Sequence, residues 1–395
     1  MELLFWISLA IVGYTFIGYG IVLYAIIKIK RMVKPAQFHW YNFDELPTVT
    51  LIVAVFNEAD ILEAKIKNTL SLNYPYGKCN FIFVTDGSSD ESPAIIARYP
   101  EIKLMHRPER AGKIAAVHRA MKEVTTEVAI FTDANTFLNT DALVHIARHY
   151  KDASVGAVSG EKRVYSPNND ATAGEGIYWK YESTLKKWDS ELFSVVGAAG
   201  ELFSIRTSLY QPVPPDTILD DFMISLLIAA KGYRIVYEPT AYAMETSSAN
   251  ITEELKRKVR IAAGGIQSIV RLAQLMNPFK YPILSFQYIS HRVLRWTVTP
   301  FFMILTFAAN LALVIQQPTN LLYAIFLAGQ AAFYAAALLG WLLETRNIKV
   351  KALFVPYYFC MMNYAVVAGI IRYLRKNQSA AWEKSKRQSG TIPMP

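Results

Sequence analysis

Five side chains in this 395-residue chain combine types and positions that suit acid–base and metal chemistry: Asp86, Asp133, Asn135, Asp220 and Asp221. Each falls at the end of an apolar run or in the turn that follows one. Asp133 and Asn135, one residue apart in Thr132-Asp133-Ala134-Asn135, can aim two oxygens at a single hard cation. Such an ion typically takes one or two protein ligands when phosphates supply the others. Asp220-Asp221 offers a carboxylate able to take the proton of an attacking hydroxyl. A divalent ion at a diphosphate and a base opposite it are the parts needed to displace a diphosphate leaving group. Lys258 and Arg260 are fixed cations suited to the charge that gathers there. Taken singly, each Asp reads more readily as a helix cap or turn residue, and Lys256 and Arg257 read equally as part of a basic helix on anionic lipid. The argument for a site rests on the whole set in this order.

The elements that must position these groups are legible. Val49 to Val55 is an apolar, β-branched run, as expected of a buried parallel strand. A helix from Asn57 to Leu72 follows, with Asn57 as its cap, and further strands are expected at Phe81 to Val84 and Val128 to Phe131. Strands separated by helical segments predict a doubly wound α/β sheet. Ligands bind outside the carboxyl ends of such strands. Those ends read Phe56-Asn57-Glu58, Thr85-Asp86-Gly87-Ser88-Ser89-Asp90 and Thr132-Asp133-Ala134-Asn135.

The composition places part of the chain in lipid. Hydrophobic residues make up 53% and charged residues 18%, against about 25% charge in a typical soluble protein. Leu3 to Ile27 carries no charge and is long enough to span a bilayer. Lys28, Lys30, Arg31 and Lys34 follow it, so residue 28 onward is expected in the cytoplasm. Asn250 to Lys280 is basic with apolar positions at helical spacing, which predicts a helix on the membrane surface. Thr297 to Ile315 and Leu321 to Leu343 predict a membrane hairpin. Ala352 to Leu374 is apolar but holds Pro356, Asn363 and Arg372, and a full crossing would put the basic tail outside, so an interface or re-entrant helix is expected. The net charge of +9 fits such cytoplasmic flanks. No basic–aromatic cluster of a nucleic-acid-binding type appears, and Cys79 and Cys360 form neither a disulfide framework nor a zinc motif.

On these motifs the chain resembles the membrane-integrated family 2 glycosyltransferases, which include cellulose, hyaluronan, chitin and poly-N-acetylglucosamine synthases. The resemblance runs from Val49 to about Arg271. It implies an α/β GT-A (Rossmann-like) cytoplasmic domain joined to α-helical transmembrane and interface helices. Phe56, Asn57 and Glu58 resemble the nucleotide-base loop, and Asp86 stands in the loop that holds uracil and ribose. Lys113, in Arg110-Ala111-Gly112-Lys113, matches the basic turn beside the nucleotide. Asp133 and Asn135 stand at the family's Asp-x-Asp metal motif, implying Mg²⁺ or Mn²⁺. Gly197, Ala198, Ala199 and Gly200, with Arg206 beyond, resemble the acceptor-side loop. Asp220 and Asp221 stand at Glu-Asp, which makes Asp221 the general base. Lys258 and Arg260 match the phosphate-contacting motif near the interface, and Trp382 with Arg387 resembles a gating loop.

The implied organisation is a membrane helix (1–30), a GT-A domain (44–248), interface helices (249–296), a membrane hairpin (297–343), an interface or re-entrant helix (352–374) and a cytoplasmic tail (375–395). The implied activity is inverting, metal-dependent transfer from a nucleotide sugar, UDP-linked by family analogy, onto a polysaccharide at the plasma membrane. A single transfer to a lipid-linked acceptor and a silent membrane scaffold are the alternatives, and the scaffold is disfavoured by the joint presence of acid, base and phosphate motifs. The implied partners are the donor, a carbohydrate or lipid-linked acceptor, membrane lipid, and a homo-oligomer or secretion partner, but no nucleic acid. Three departures stand out. Asn135 replaces a carboxylate, so metal is held more weakly or arrives with the donor. Ile261 replaces a Trp, which leaves the acceptor open. Few hydrophobic segments flank the domain, so one protomer need not form a channel. His145 and His149, four apart, read as a surface pair. His291-Arg292 and Arg295-Trp296 read as an interface anchor. Tyr178, Trp179 and Trp188 read equally as a sugar platform or a membrane-facing cover.

Overall fold

The computed structural model describes residues 1–33, 42–165, 173–346, 348 and 350–376, with 173–178 as backbone only. The chain opens as one long helix in three parts: α1 (Glu2–Gly13), a π-helical turn (Tyr14–Gly18) and α2 (Tyr19–Val33). The α/β unit follows: β1 (Val49–Val55), α3 (Ala59–Leu70), β2 (Cys79–Asp86), α4 (Ser92–Ile96), β3 (Ile102–Arg107), α5 (Lys113–Met121), β4 (Val128–Asp133), β5 (Phe137–Leu138) and α6 (Ala142–Ala147). It continues with β6 (Val155–Tyr165), α7 (Ala173–Leu192), β7 (Leu202–Arg206), α8 (Asp220–Ala230) and β8 (Arg234–Thr246). After it come α9 (Ile251–Arg271), α10 (Pro282–Tyr288), a second π-helical turn (Ile289–Val293), α11 (Leu294–Trp296), α12 (Thr299–Gln316), α13 (Leu321–Thr345) and α14 (Lys351–Leu374).

The eight strands form one mixed sheet in the order β3-β2-β1-β4-β7-β6-β8-β5. β3, β2, β1 and β4 run parallel, and β7 is antiparallel to both β4 and β6. Every residue of β1 is buried, because both faces of the sheet are covered. Leu51, Val53 and Val55 join Leu62 and Ile66 of α3 in one core, while Ile52 and Ala54 join Ile114 and Val117 of α5 and Leu226 of α8 in the other. That two-sided burial is why the strand reads as a continuous apolar run. The chain leaves β1 toward β2 on one side and β4 lies on the other, so the loops after β1 and β4 part at a topological switch point.

The expected strands are present: β1 has the expected bounds, β2 is two residues longer at each end, and β4 runs two residues further, to Asp133. The first helix of the unit begins at Ala59, so Asn57 is not its cap. Asn57 instead takes a left-handed backbone (φ 52) and its Oδ1 accepts from Ser89 N–H at 2.8 Å. Asp90 takes over the capping: its Oδ2 accepts from Ala59 N–H at 3.0 Å.

Among the described residues, four helices are long and apolar enough to cross a membrane: Glu2–Val33, Thr299–Gln316, Leu321–Thr345 and Lys351–Leu374. The first is divided in its packing. Phe5 meets Tyr323 and Phe326 of α13, whereas from Tyr19 onward the helix lies on α7, with Gly20 against Tyr181 and Leu185 and Arg31 paired with Glu191 at 2.6 Å. The amphipathic helix is shorter than expected, ending at Arg271. Its small residues bring it against protein rather than lipid: Ala262 and Ala263 meet Gly369 of α14, Gly264 meets Ile218 and Leu219, and Gly265 meets Trp296.

Candidate active site

Three loops converge at the carboxyl ends of β1, β2 and β4. Gly87, at φ 67, lies against Arg110, where a Cβ would collide with the Arg110 side chain and backbone. That close approach brings Ala111 and Gly112 onto Asp86, whose Oδ2 accepts from their backbone N–H groups at 2.9 and 2.6 Å. Asp86 Oδ1 is buried and has no hydrogen-bond partner among the described residues. An unmet buried acceptor is costly, so this oxygen suits an incoming N–H donor. The Arg110 guanidinium stacks 4.0 Å over the Phe56 ring, which gives the pocket a flat apolar wall.

Lys113 opens α5 and joins the acidic groups. Its Nζ lies 2.8 Å from Asp133 Oδ1 and 3.9 Å from Asp220 Oδ2. Burial alone would depress its ammonium, but Asp133, Asp220 and Asp221 outweigh that and raise it above the ordinary lysine value. Burial, and then the Asp220 carboxylate beside it, push Asp221 up to about 7. A carboxylate poised there is suited to proton abstraction near neutrality. Gly200 lies against Asp221: a Cβ there would sit 3.0 Å from Asp221 Oδ2, a tight contact that the carboxylate would have to relieve. The preceding loop is pinned by Ala198 N–H to Ser225 Oγ (3.0 Å) and Ala199 N–H to Ser159 Oγ (3.1 Å). Gly197, at φ 86, packs on the Phe222 ring where a Cβ would overlap it.

The Asp133 turn is braced from beneath. Thr136 Oγ1 donates to the Asp133 carbonyl at 2.9 Å, and Thr132 and Thr136 hydroxyls meet at 2.8 Å. Lys65 of α3, fully buried, donates from Nζ to the Thr136 carbonyl at 2.6 Å. Burial drives the Lys65 ammonium down to about 7. Asp133 and Asn135 are the residues able to hold a metal. Among the described residues no three His, Cys, Asp or Glu side chains gather to form a complete metal cage. This donor set fits an ion shared with a diphosphate, which needs few protein ligands.

The structure thus brings together Phe56, Asn57, Glu58, Asp86, Lys113, Asp133, Asn135, Asp220, Asp221 and Gly197–Gly200. Other expected residues fall elsewhere. Lys258 belongs to a neighbouring, part-buried charge cluster: it pairs with Glu254 at 3.3 Å and lies 5.2 Å from the Trp179 ring. Arg257 pairs with Glu254 at 3.1 Å in the same cluster, and Lys162 bridges Glu201 (2.6 Å) and Glu245. Arg260 is half-buried along the same helix. Arg206 is not at the acceptor loop. It pairs with Val128 in register, at the far end of β4 from Asp133, and its guanidinium donates to the Tyr150, Asp152 and Val155 carbonyls. His149 is tied to Glu238 at 2.7 Å together with Arg148, an ion cluster at the sheet edge. Trp188 packs on Tyr24 of the first helix. The His291 segment is buried, not an interface anchor. Trp382 and Arg387 lie outside the described residues, as does the side chain of Tyr178.

The sequence reading missed Lys65, Lys162 and Glu201. Lys65 carried a signal: it stands on the buried stripe of α3 with Leu62, Ile66 and Thr69, where a surface lysine is not expected. Glu201 directly follows Gly200, but its pairing with Lys162 on another strand leaves no sequence trace.

Comparison with known proteins gives a consistent picture. Residues 50–212 match the glycosyl transferase family 2 model. Over 261 residues the chain is 29% identical to a poly-beta-1,6-N-acetyl-D-glucosamine synthase of Staphylococcus aureus (strain MSSA476), covering 63% of this chain and 62% of that protein. It is 26% identical over 233 residues to the synthase of that name from Staphylococcus epidermidis, covering 56% of each. The match therefore spans less than two thirds of these relatives. Among solved structures, a mannosyltransferase from Pyrobaculum calidifontis in complex with GDP-Man and Mn²⁺ aligns over 95% of this chain and 100% of its own, with a TM-score of 0.72 and 24% identity. That likeness shows the fold.

Proposed function

We propose that the chain is an inverting, metal-dependent polysaccharide synthase, because residues 50–212 match the glycosyl transferase family 2 model and the fold is the GT-A (Rossmann-like) one. It moves a sugar from a nucleotide donor onto a growing carbohydrate at the membrane. The observation that carries this reading is the Lys113 ammonium lying between Asp133 (2.8 Å) and Asp220 (3.9 Å), which supports a metal–diphosphate role for Asp133 beside a base role for Asp221. The relatives' names suggest UDP-N-acetylglucosamine as the first donor to try.

Phe56 and Arg110 stack on the base, and the unmet Asp86 Oδ1 accepts its N–H. Lys113 neutralises phosphate charge, and Asp133 with Asn135 would hold a Mg²⁺ or Mn²⁺ ion. That ion, when bound, acts as a Lewis acid for the departing nucleotide. The Gly197–Gly200 loop receives the acceptor beside Asp221. Asp221 takes the acceptor hydroxyl proton as the oxygen attacks the anomeric carbon, the bond to the diphosphate breaks, and the configuration inverts.

We further propose that the catalytic domain is cytoplasmic and that α14 runs along the inner membrane face. Glu2 of α1 accepts from Gln317 at the α12–α13 turn (2.9 Å), which marks the outer end of the bundle. Thr15 and Thr299 meet at 3.1 Å near the catalytic side. α14 starts beside the end of α13, where Leu353 and Tyr357 pack on Gly340, and finishes with Gly369 on α9. Both ends of α14 on the catalytic side support an interface or re-entrant path over a complete crossing.

Purified protein in lipid, offered a panel of radiolabelled nucleotide sugars with Mn²⁺ or Mg²⁺, tests the activity. A long product supports the synthase. A single-sugar product would replace it with a non-processive transferase, and undetectable donor binding would leave a silent scaffold.

A further inference from the structure

Beneath the acceptor loop lies a buried polar network that the reaction itself does not use. Glu182 of α7 accepts at Oε1 from Arg292 (3.0 Å), with His291 Nε2 at 2.9 Å, and at Oε2 from Arg295 (2.7 Å). Asp189, two turns further along the same face of α7, has its Oδ2 2.5 Å from His291 Nδ1. Its Oδ1 accepts from the Tyr19 hydroxyl of α2 and from Gln287 Nε2 at 3.0 Å. Glu182, Asp189, His291 and Tyr19 are all buried. Two π-helical turns face each other across this network, joined by the Tyr14 and Ser290 hydroxyls at 2.8 Å. Such turns recur at functional sites.

Among the described residues, Arg292 carries the network's link to the carbonyl immediately before Gly197. Arg292 Nε donates to the Val196 carbonyl at 3.2 Å, immediately before Gly197, and its guanidinium stacks 5.4 Å over Trp296. Trp296 in turn lies 5.5 Å from the Phe222 ring, on which Gly197 packs and which directly follows Asp221. Burying several charges is weak evidence for stability, because desolvation offsets much of their attraction. A precise geometric role accounts for their retention better.

We propose that Arg292 is a positioning residue for sugar transfer: it holds the Val196 carbonyl and so sets the Gly197–Gly200 loop beside Asp221. Glu182, Asp189 and Tyr19 tie that setting to the N-terminal membrane helix. The role in transfer rests on the glycosyltransferase reading. The placement of the loop does not.

The test uses the full chain in lipid nanodiscs, with Arg292→Met, which keeps the packing on Trp296, and Tyr19→Phe, which removes only the hydroxyl. Glu182 keeps His291 and Arg295 in both variants, so folding is expected to survive. Hydrogen exchange at the Ala198 and Ala199 amides should speed up by about tenfold or more in Arg292→Met, with the rest of the sheet unchanged. With UDP-[¹⁴C]N-acetylglucosamine as donor, the rate of sugar incorporation should fall about ten- to a hundredfold while UDP affinity holds. Tyr19→Phe should move both readouts in the same direction by less. Unchanged exchange at the loop, or faster exchange spread over the whole sheet, overturns the proposal. So does a loss of UDP affinity in step with transfer. A wild-type protein that neither releases UDP nor transfers sugar would defeat the functional reading, and the exchange arm would still decide the loop's anchor.

Discussion

Lys113 Nζ lies 2.8 Å from Asp133 Oδ1 and so ties the start of α5 to the end of β4. One ammonium here faces a carboxylate from the end of β4 and, at 3.9 Å, a second from the start of α8. Hydrogen bonds to charged groups contribute about 1.5–3 kcal/mol. Lys113→Met should therefore weaken UDP binding by about ten- to a hundredfold, read by calorimetry with Mn²⁺ present. Unaltered UDP affinity would remove Lys113 from the phosphate site.

Asp221→Asn keeps the shape of the base and removes its proton acceptor. Turnover should fall by about 10²–10⁴-fold while UDP binding survives. In the wild type, burial and Asp220 push Asp221 up to about 7. Only the deprotonated form serves as base, so kcat/KM should rise with pH through about 7 and level off above it. Asp220→Asn removes the repelling charge and should move that rise to lower pH. A pH profile unmoved by Asp220→Asn would contradict the assignment.

Asp133→Ala should abolish the metal-dependent part of nucleotide binding, because Asn135 alone is a weak ligand. Asn135→Asp adds a second carboxylate one residue away and should tighten Mn²⁺ binding, measured by electron paramagnetic resonance in the presence of UDP. Unchanged Mn²⁺ affinity in Asn135→Asp would show that position 135 does not touch the ion.

Lys65 tests the brace under the Asp133 turn. Its ammonium is depressed to about 7 by burial, below the ordinary lysine value. Between those two values the unfolded chain binds a proton that the folded chain does not, so this group makes stability rise with pH across that window. The slope is at most about 1.4 kcal/mol per pH unit. Lys65→Met should flatten the rise of melting temperature above about pH 7 without collapsing the fold, since methionine fills similar volume. A rise of the same steepness in Lys65→Met would assign it to other groups.

The topology is open to direct labelling. With Cys79 and Cys360 replaced, a cysteine at Ser389 should react with a membrane-impermeant maleimide only after cells are permeabilised. Labelling in intact cells would put the tail outside and make α14 a complete span.

The sequence by itself determined the strands, the acidic set and the apolar helices, because these depend on local pattern. A run such as Val49–Val55 has to be buried on both faces, and carboxylates at strand ends have to face the crevice. It misassigned residues whose roles depend on what lies across the fold. Asn57 looked like a cap until the β2 loop claimed its side chain, and Arg206 stood close to the acceptor loop in sequence while the antiparallel run of β7 carried it to the opposite end of the sheet. For Lys258, which matched a phosphate motif, the motif gave no sign of the Glu254 carboxylate one turn earlier on α9 that pairs with it. Only the tertiary structure decided which charge meets which. An ion pair such as Lys162–Glu201 or Glu182–Arg292 joins residues 39 and 110 positions apart, and such partners are set by packing rather than by any period in the chain.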